Sequence, residues 1–509
     1  MVVWIGLGLA TADAATRRVP EDHATIGDAL DAAGPGDVVD VACGTYFEHD
    51  LELKSGVAVR SRSRQAGCVT IDAQELGRVA VGSDLEPGTE LQGLTLVNGV
   101  SPVLLNGGAL HLVASSLLLS NCELKFNRAE AQYFSTGSLG GAIYVEGGEE
   151  LDVQECRFEA NRVYAGAGQK GGAIYCAGVT EGRVDRSTFL ANDARGGVGG
   201  AIAVAGGALR VSGTEFRTNR AAVGGALHFQ SADADIRSCT FDGNRAFGFF
   251  VDERPFRGAN VLRGGGAVDC LESDLRVADC TFANNEASSF YSSLAGGAVN
   301  ATTTDATFRR CRFTTNTIDR AGGILSVDGT RILVEDCVFS RNVVDAPAPR
   351  GTLELSGAGR ALVSDCTFHA NTHGIRTVCE QGTVVQRTIV FGSTIGQAVT
   401  VGPQAPISLG CADLFGNAGG DWTPEISHQL GVDGNIYADP AFCTGSGACC
   451  GVSTGSPCLP GNHPDGVECG AIGAVESACA DARALEIPSR SWGRIKAGFA
   501  DLPPGSDAR

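Results

Sequence analysis

No stretch of this sequence approaches the run of about 18 apolar residues that a helix needs to cross a bilayer, which excludes a helical membrane span. Proline is scarce at 17 residues, and no Gly-x-y period runs through the chain, which excludes a collagen-like polymer. Basic residues never gather into a run, and 39 Lys and Arg stand against 58 Asp and Glu. The resulting net charge of −19 has the wrong sign for holding a phosphate backbone, so nucleic acid is not an expected partner. Neither CxxC nor HExxH occurs, so no zinc site is recognisable. No cofactor is expected, with Ca²⁺ the one ion that an acidic surface leaves open.

What is abundant is glycine, at 71 of 509 residues, and it recurs in a pattern. Gly107-Gly108, Gly140-Gly141, Gly171-Gly172, Gly199-Gly200, Gly224-Gly225, Gly265-Gly266, Gly296-Gly297 and Gly322-Gly323 each open a unit. Sixteen or 17 residues after the second glycine stands Leu124 in the first unit and a phenylalanine in the others: Phe158, Phe189, Phe216, Phe241, Phe282, Phe313 and Phe339. Three residues further on an asparagine follows every time: Asn127, Asn161, Asn192, Asn219, Asn244, Asn285, Asn316 and Asn342. A worn copy runs from Gly351 through Phe368 to Asn371. A fixed period of this length is the signature of a solenoid.

Within a unit the apolar residues alternate, which is the period of a strand. Ile143/Val145, Leu151/Val153 and Cys156/Phe158 are expected to face inward on three short strands, one for each of three parallel sheets. The residues between the first pair, Tyr144, Tyr175, His228, Asp269, Asn300 and Ser326 in successive units, are expected to face water. Stacking turns about 4.8 Å apart places each residue over its counterpart, so the Phe and Asn columns become ladders, with the asparagines at a turn that tolerates positive φ. The glycine pair permits a bend that a Cβ would block.

The GGA[ILV] and F-x-x-N pairing over residues 107–371 resembles the repeat of polymorphic outer membrane proteins, and the arrangement resembles right-handed parallel β-helix proteins of the pectin-lyase-like class. Residues 19–48, with Thr25 to Ala33, Gly36-Asp37 and Gly44 to Tyr46, resemble the capping entry of such helices. The stretch from Cys411 to Cys479, with Asp439-Pro440-Ala441-Phe442-Cys443 and Gly470-Ala471-Ile472-Gly473-Ala474, resembles the terminal coil of exported bacterial β-helix proteins. The resemblance implies an all-β, three-sheet solenoid with an N-terminal cap and a Cys-rich closing coil. The chain departs from the outer membrane family in lacking the alternating amphipathic strands of a membrane barrel at its C-terminus.

The expected organisation is a signal peptide over 1–15, a cap and first coils over 16–100, repeats over 101–400, closing coils over 401–480 and a tail from 481 that contains a short basic, aromatic segment, Ser491 to Phe499, a candidate sorting or anchoring tag. Cys122, Cys156, Cys239, Cys280, Cys311, Cys337 and Cys366 share one rung position that Ser187 and Thr214 take in two units, which suits a buried free thiol. The cysteines near the ends read as staples in an exported protein, with Cys43–Cys68 and Cys458–Cys469 the expected pairs.

Catalytic patterns match by letter and fail by context. Gly166-x-Gly168-x-x-Gly171 ends in a repeat glycine that opens a strand, where a dinucleotide loop would open a helix. Gly451-x-Ser453-x-Gly455 lies in the Cys-rich coil and not on a nucleophile elbow. Of the motifs that pectin hydrolases of similar architecture use, only Arg494-Ile495-Lys496 is present, in the tail. His369 and His373 flank a turn asparagine and are expected to be exposed. No catalytic residue and no metal ligand is assigned.

Length varies mainly between the rung asparagine and the next glycine pair, with 128–139, 162–170, 245–264 and 286–295 long and 220–223 minimal. Insertions at one register emerge on one side of a solenoid. They carry Tyr133, Phe134, Tyr164, Phe247, Phe249, Phe250, Phe256, Phe290 and Tyr291, with Arg254 and Arg257 nearby, a composition suited to recognising sugar or protein. The expected protein is a monomeric, exported or surface-held binding and adhesion protein of a bacterium. The alternatives are a polysaccharide lyase or glycosidase on the same scaffold, or a structural envelope component.

Overall fold

The computed structural model describes residues 14–101, 106–130, 137–164, 168–247, 264–288, 296–319, 322–345, 349–443, 451–474 and 476–477. They form a parallel β-solenoid. The first sheet has 24 strands, the second 14 and the third eight, and the pairing within each is parallel throughout. The division of strands among sheets differs from the expectation. The strands of Ile143/Val145 and of Leu151/Val153 belong to one bent sheet, and in some turns they fuse, as over Ile174–Asp185 and Gly323–Glu335. The third sheet is built from short strands just after each rung asparagine, from Arg128–Glu130 to Val343–Asp345. The long connections therefore begin as strands.

The columns are as the repeat requires. Phe158, Phe189, Phe216, Phe241, Phe282, Phe313, Phe339 and Phe368 are fully buried and stacked, with ring centroids 4.5–5.1 Å apart. Each asparagine amide donates both to a backbone carbonyl and to the next asparagine. Asn219 Nδ2 lies 3.0 Å from Phe189 O and 3.0 Å from Asn244 Oδ1. The positive φ falls on the residue before each asparagine, such as Ala160, Ala191 and Thr218, and not on the asparagine. This corrects the turn assignment. The two N–H groups of the amide reach the turns before and after it.

The glycine pair is set by close approach as much as by the bend. Gly224 has φ +62°, but Gly225 does not need a positive φ. A Cβ on Gly225 would lie 2.1 Å from Gly266 O in the next turn, and the same 2.1–2.2 Å approach recurs from Gly108 to Gly266. A non-glycine residue at this column would push the turns apart.

Both ends are closed. The helix Ile26–Ala32 is N-capped by Thr25, its first amides are held by the Glu48 carboxylate, and Ile26, Ala29 and Leu30 plug the core. Cys43–Cys68 staples the first coil as expected. At the far end Cys469 pairs with Cys411 and not with Cys458, which corrects the second expected pair. Cys458 is a buried thiol 3.2 Å from Asp413 Oδ2, in a cluster with Ile389, Ile436 and Ile472. Cys443 is also held in a disulfide. The rung cysteines from Cys122 to Cys366 are free and buried.

Candidate functional site

The residue between each inward pair of the first strand points to the outside of the first sheet. Register places His111, Tyr144, Tyr175, Ala203, His228, Asp269, Asn300, Ser326, Glu354, Arg376 and Thr400 in one row along the solenoid. The expectation that this row faces water is overturned. Tyr144, Tyr175, His228, Asp269, Asn300, Ser326 and Glu354 are all buried, His228 to 7% exposure and Asp269 to 3%. Described segments that lead into or form the glycine pairs lie against the row. Leu139 and Val198 pack against Tyr144, Tyr175 and Ala203, and a Cβ on Gly224 would touch Asp269 Cβ at 3.3 Å. The row is thus the floor of the corner at which the insertions leave and rejoin the coil.

The floor changes character along its length. At its N-terminal part His111, Tyr144 and Tyr175 stack with centroids 5.0 and 5.8 Å apart, and Lys170 Nζ stands 5.6 Å from the Tyr175 centroid. Tyr144 donates to Glu146 Oε2 at 2.6 Å, and burial, followed by that carboxylate, pushes its phenol up. Burial and then Arg78 hold the His111 imidazole below its usual range. In the middle, His228 Nδ1 lies 2.9 Å from Asp269 Oδ2, and Asn300 Nδ2 donates to Asp269 Oδ1 at 2.8 Å. Against an ionised carboxylate Nδ1 is the donor, so the pair and Asn300 together fix the orientation of the imidazole ring. Further along, Arg376 Nη1 stands 3.7 Å from Glu354 Oε2, and burial raises the Glu354 carboxyl.

Of the aromatics expected in the insertions, Tyr164 is 61% exposed at the end of the strand Arg162–Tyr164, and Phe247 is half-buried at the end of Arg245–Phe247. Tyr133, Phe134, Phe249, Phe250, Arg254, Phe256, Arg257, Phe290 and Tyr291 lie outside the described residues, as does Arg494-Ile495-Lys496. His373 is buried and His369 half-buried, against the expectation of exposure. His373 falls in the column that glycine occupies elsewhere, and His369 stacks on Phe391 at 5.6 Å.

A second aromatic feature escaped sequence reasoning. Phe391 and Phe415 sit one residue beyond the core column, where the strand period turns them outward; they stack with His369, while Phe442 and Tyr437 lie tilted or edge-on against them. That one-residue shift was legible in Ile389-Val390-Phe391 and Asp413-Leu414-Phe415. Tyr437, 56% exposed, ends the series. A shallow cavity of about 520 Å³ lies nearby between Val401–Ala405 and Glu425, His428 and Gln429, but the Gln429 amide is already committed to Leu409 N and Ile407 O. Among the described residues no three His, Cys, Asp or Glu side chains are grouped to hold a metal ion.

Stacked parallel coils with a capped entry define the class, a parallel β-solenoid. The family described as right handed beta helix region matches residues 106–343 and again 261–409, more than half of the chain, and the protein belongs to it. No curated protein matches the sequence. Among solved structures the chain is similar to the PL6 family alginate lyase AlyGC, at 14% identity and a TM-score of 0.35. The match covers 86% of this chain and 61% of that one, less than two thirds of the lyase.

Proposed function

We propose that this is an exported or surface-held bacterial β-solenoid that binds a glycan or protein ligand, without catalysis, through the corner between its third and first sheets. One observation carries the reading. The four long connections, 128–139, 162–170, 245–264 and 286–295, each begin with a strand of the third sheet and end at a glycine pair that leads into the first. A coil that needs only Arg220–Val223 to make the same passage has no folding requirement for these lengths. The resemblance of the repeat to that of polymorphic outer membrane proteins supports display at a surface. The test is a glycan array and a pull-down from native cell envelope, run on the whole chain and on a chain with 248–263 replaced by a short connection. Ligand captured by the first and lost by the second is expected; equal capture by both overturns the reading.

A second reading, a polysaccharide lyase or glycosidase, is favoured by the oriented His228–Asp269 pair in the floor of the same corner. It requires release of unsaturated or reducing ends from a polysaccharide and loss of that turnover in His228→Ala.

A further inference from the structure

The glycine column ends abruptly. Two residues before the aligned Leu325, Leu353 and Ile375 stand Gly323, Gly351 and His373, so an imidazole follows two glycines at that position. Gly396 in the following turn makes room for it: a Cβ there would lie 2.1 Å from His373 Nδ1. His373 is 1% exposed, and its Nε2 has no hydrogen-bond partner. Arg350, at the mouth of the preceding turn, has its Nε buried and likewise without a partner. Gly351, the residue after Arg350, lies against Arg376, since a Cβ on it would stand 2.8 Å from Arg376 Cβ, and burial and the Arg350 guanidinium hold the His373 imidazole below its usual range.

Arg376, next along the row, has only the loose 3.7 Å approach to Glu354. Glu354 Oε1 is partly engaged by Gly351 N at 3.3 Å. Comparably shielded arginines elsewhere are satisfied. Arg387 reaches both Asp365 oxygens at 2.6 and 2.7 Å, and Arg78 donates to Asn106 O and Gly107 O. The buried Arg350 Nε and the loosely held Arg376 leave donors unmet, and the planar donor fork of a guanidinium matches an oxyanion. Two permanent positive charges here face one buried carboxylate, in a protein whose net charge is −19.

We propose that Arg350, Arg376 and His373 form a binding site for a single oxyanion, a carboxylate or sulfate group, at the end of the glycine column. The inference deepens the binding reading and rests on it, because it gives the ligand of that corner an acidic group.

Isothermal titration of the full chain with sodium sulfate and, separately, sodium acetate tests it, and sulfated and carboxylated oligosaccharides then distinguish the two sources of the anion. Saturable one-site binding of at least one salt is expected. Arg376→Gln and Arg350→Gln should each weaken it tenfold or more, while Arg360→Gln leaves it unchanged and all three keep the thermal midpoint. Absence of saturable binding, or equal weakening by Arg360→Gln, overturns the proposal. The chain with 248–263 replaced separates the two claims: it should lose the corner's ligand yet keep the anion.

Discussion

A buried primary amide has two donors and one acceptor to satisfy, and in this molecule each rung asparagine satisfies them with its neighbours above and below. Asn219 gives its two hydrogens to Phe189 O and Asn244 Oδ1, and its own oxygen accepts from Asn192 N and Asn192 Nδ2, all at 3.0 Å. Asn219→Ala deletes all four bonds and strands polar groups that water does not reach. The expected cost is about 3 kcal/mol by urea unfolding; a loss below about 0.5 kcal/mol would remove the ladder from any account of stability. Phe216→Ala, in the adjacent column, should cost about 3–5 kcal/mol through lost burial and a cavity between two stacked rings.

At the scale of the element, two glycines of the first sheet's turns separate two kinds of requirement. Gly225 has an ordinary φ but a contact that a Cβ cannot make, 2.1 Å from Gly266 O. Gly178 has φ +64° and nothing within 4 Å of its would-be Cβ. Gly178→Ala should therefore cost about 1 kcal/mol, the strain of a left-handed alanine. Gly225→Ala must force adjacent coils apart and should lower the thermal midpoint several times further. Equal effects would mean that the backbone bend alone explains the pair. The corner insertion is expected to be separable from the element that carries it: replacing 248–263 should leave the circular dichroism spectrum and midpoint close to those of the parent, because Arg220–Val223 makes the passage unaided.

For the whole molecule the sensitive point is the closing coil, where a stack of otherwise repeated layers must end. Asp413 is fully buried, accepts from Ala438 N and the Cys458 thiol, and is pushed up to about 7, by burial first, with Asp439 and Asp421 adding to it. The carboxyl binds its proton more tightly in the fold than in the open chain, whose value is 3.8. Its contribution is therefore complete below about pH 4 and is lost as pH rises towards 7. Melting curves from pH 4 to 8 should show the parent losing ground to Asp413→Asn as pH rises; a constant difference would contradict the assignment. Reduction of Cys411–Cys469 should loosen the same end, seen as faster proteolysis between 411 and 474 than in the repeats.

Much of this was legible in the sequence because a solenoid makes each residue the neighbour of its own repeat. The Phe and Asn ladders and the free thiols follow from spacing, and the capping helix from the resemblance of the entry segment. Cys43 and Cys68 bracket one coil, and their staple follows from that. The strand period also says which residues leave the core, but not what they meet outside it. By period alone Tyr144, His228 and Asp269 face water, yet the segments leading into the glycine pairs cover them. Cys469 met Cys411 and left Cys458 to Asp413 because the closing coil folds without a repeat to copy. The sequence by itself determined the period and everything that stacks with it, since stacking is local and self-templated. Only the tertiary structure decided the buried outer row, the loosely held arginines beside His373 and the choice among cysteines, because each depends on segments distant in the chain that share no pattern.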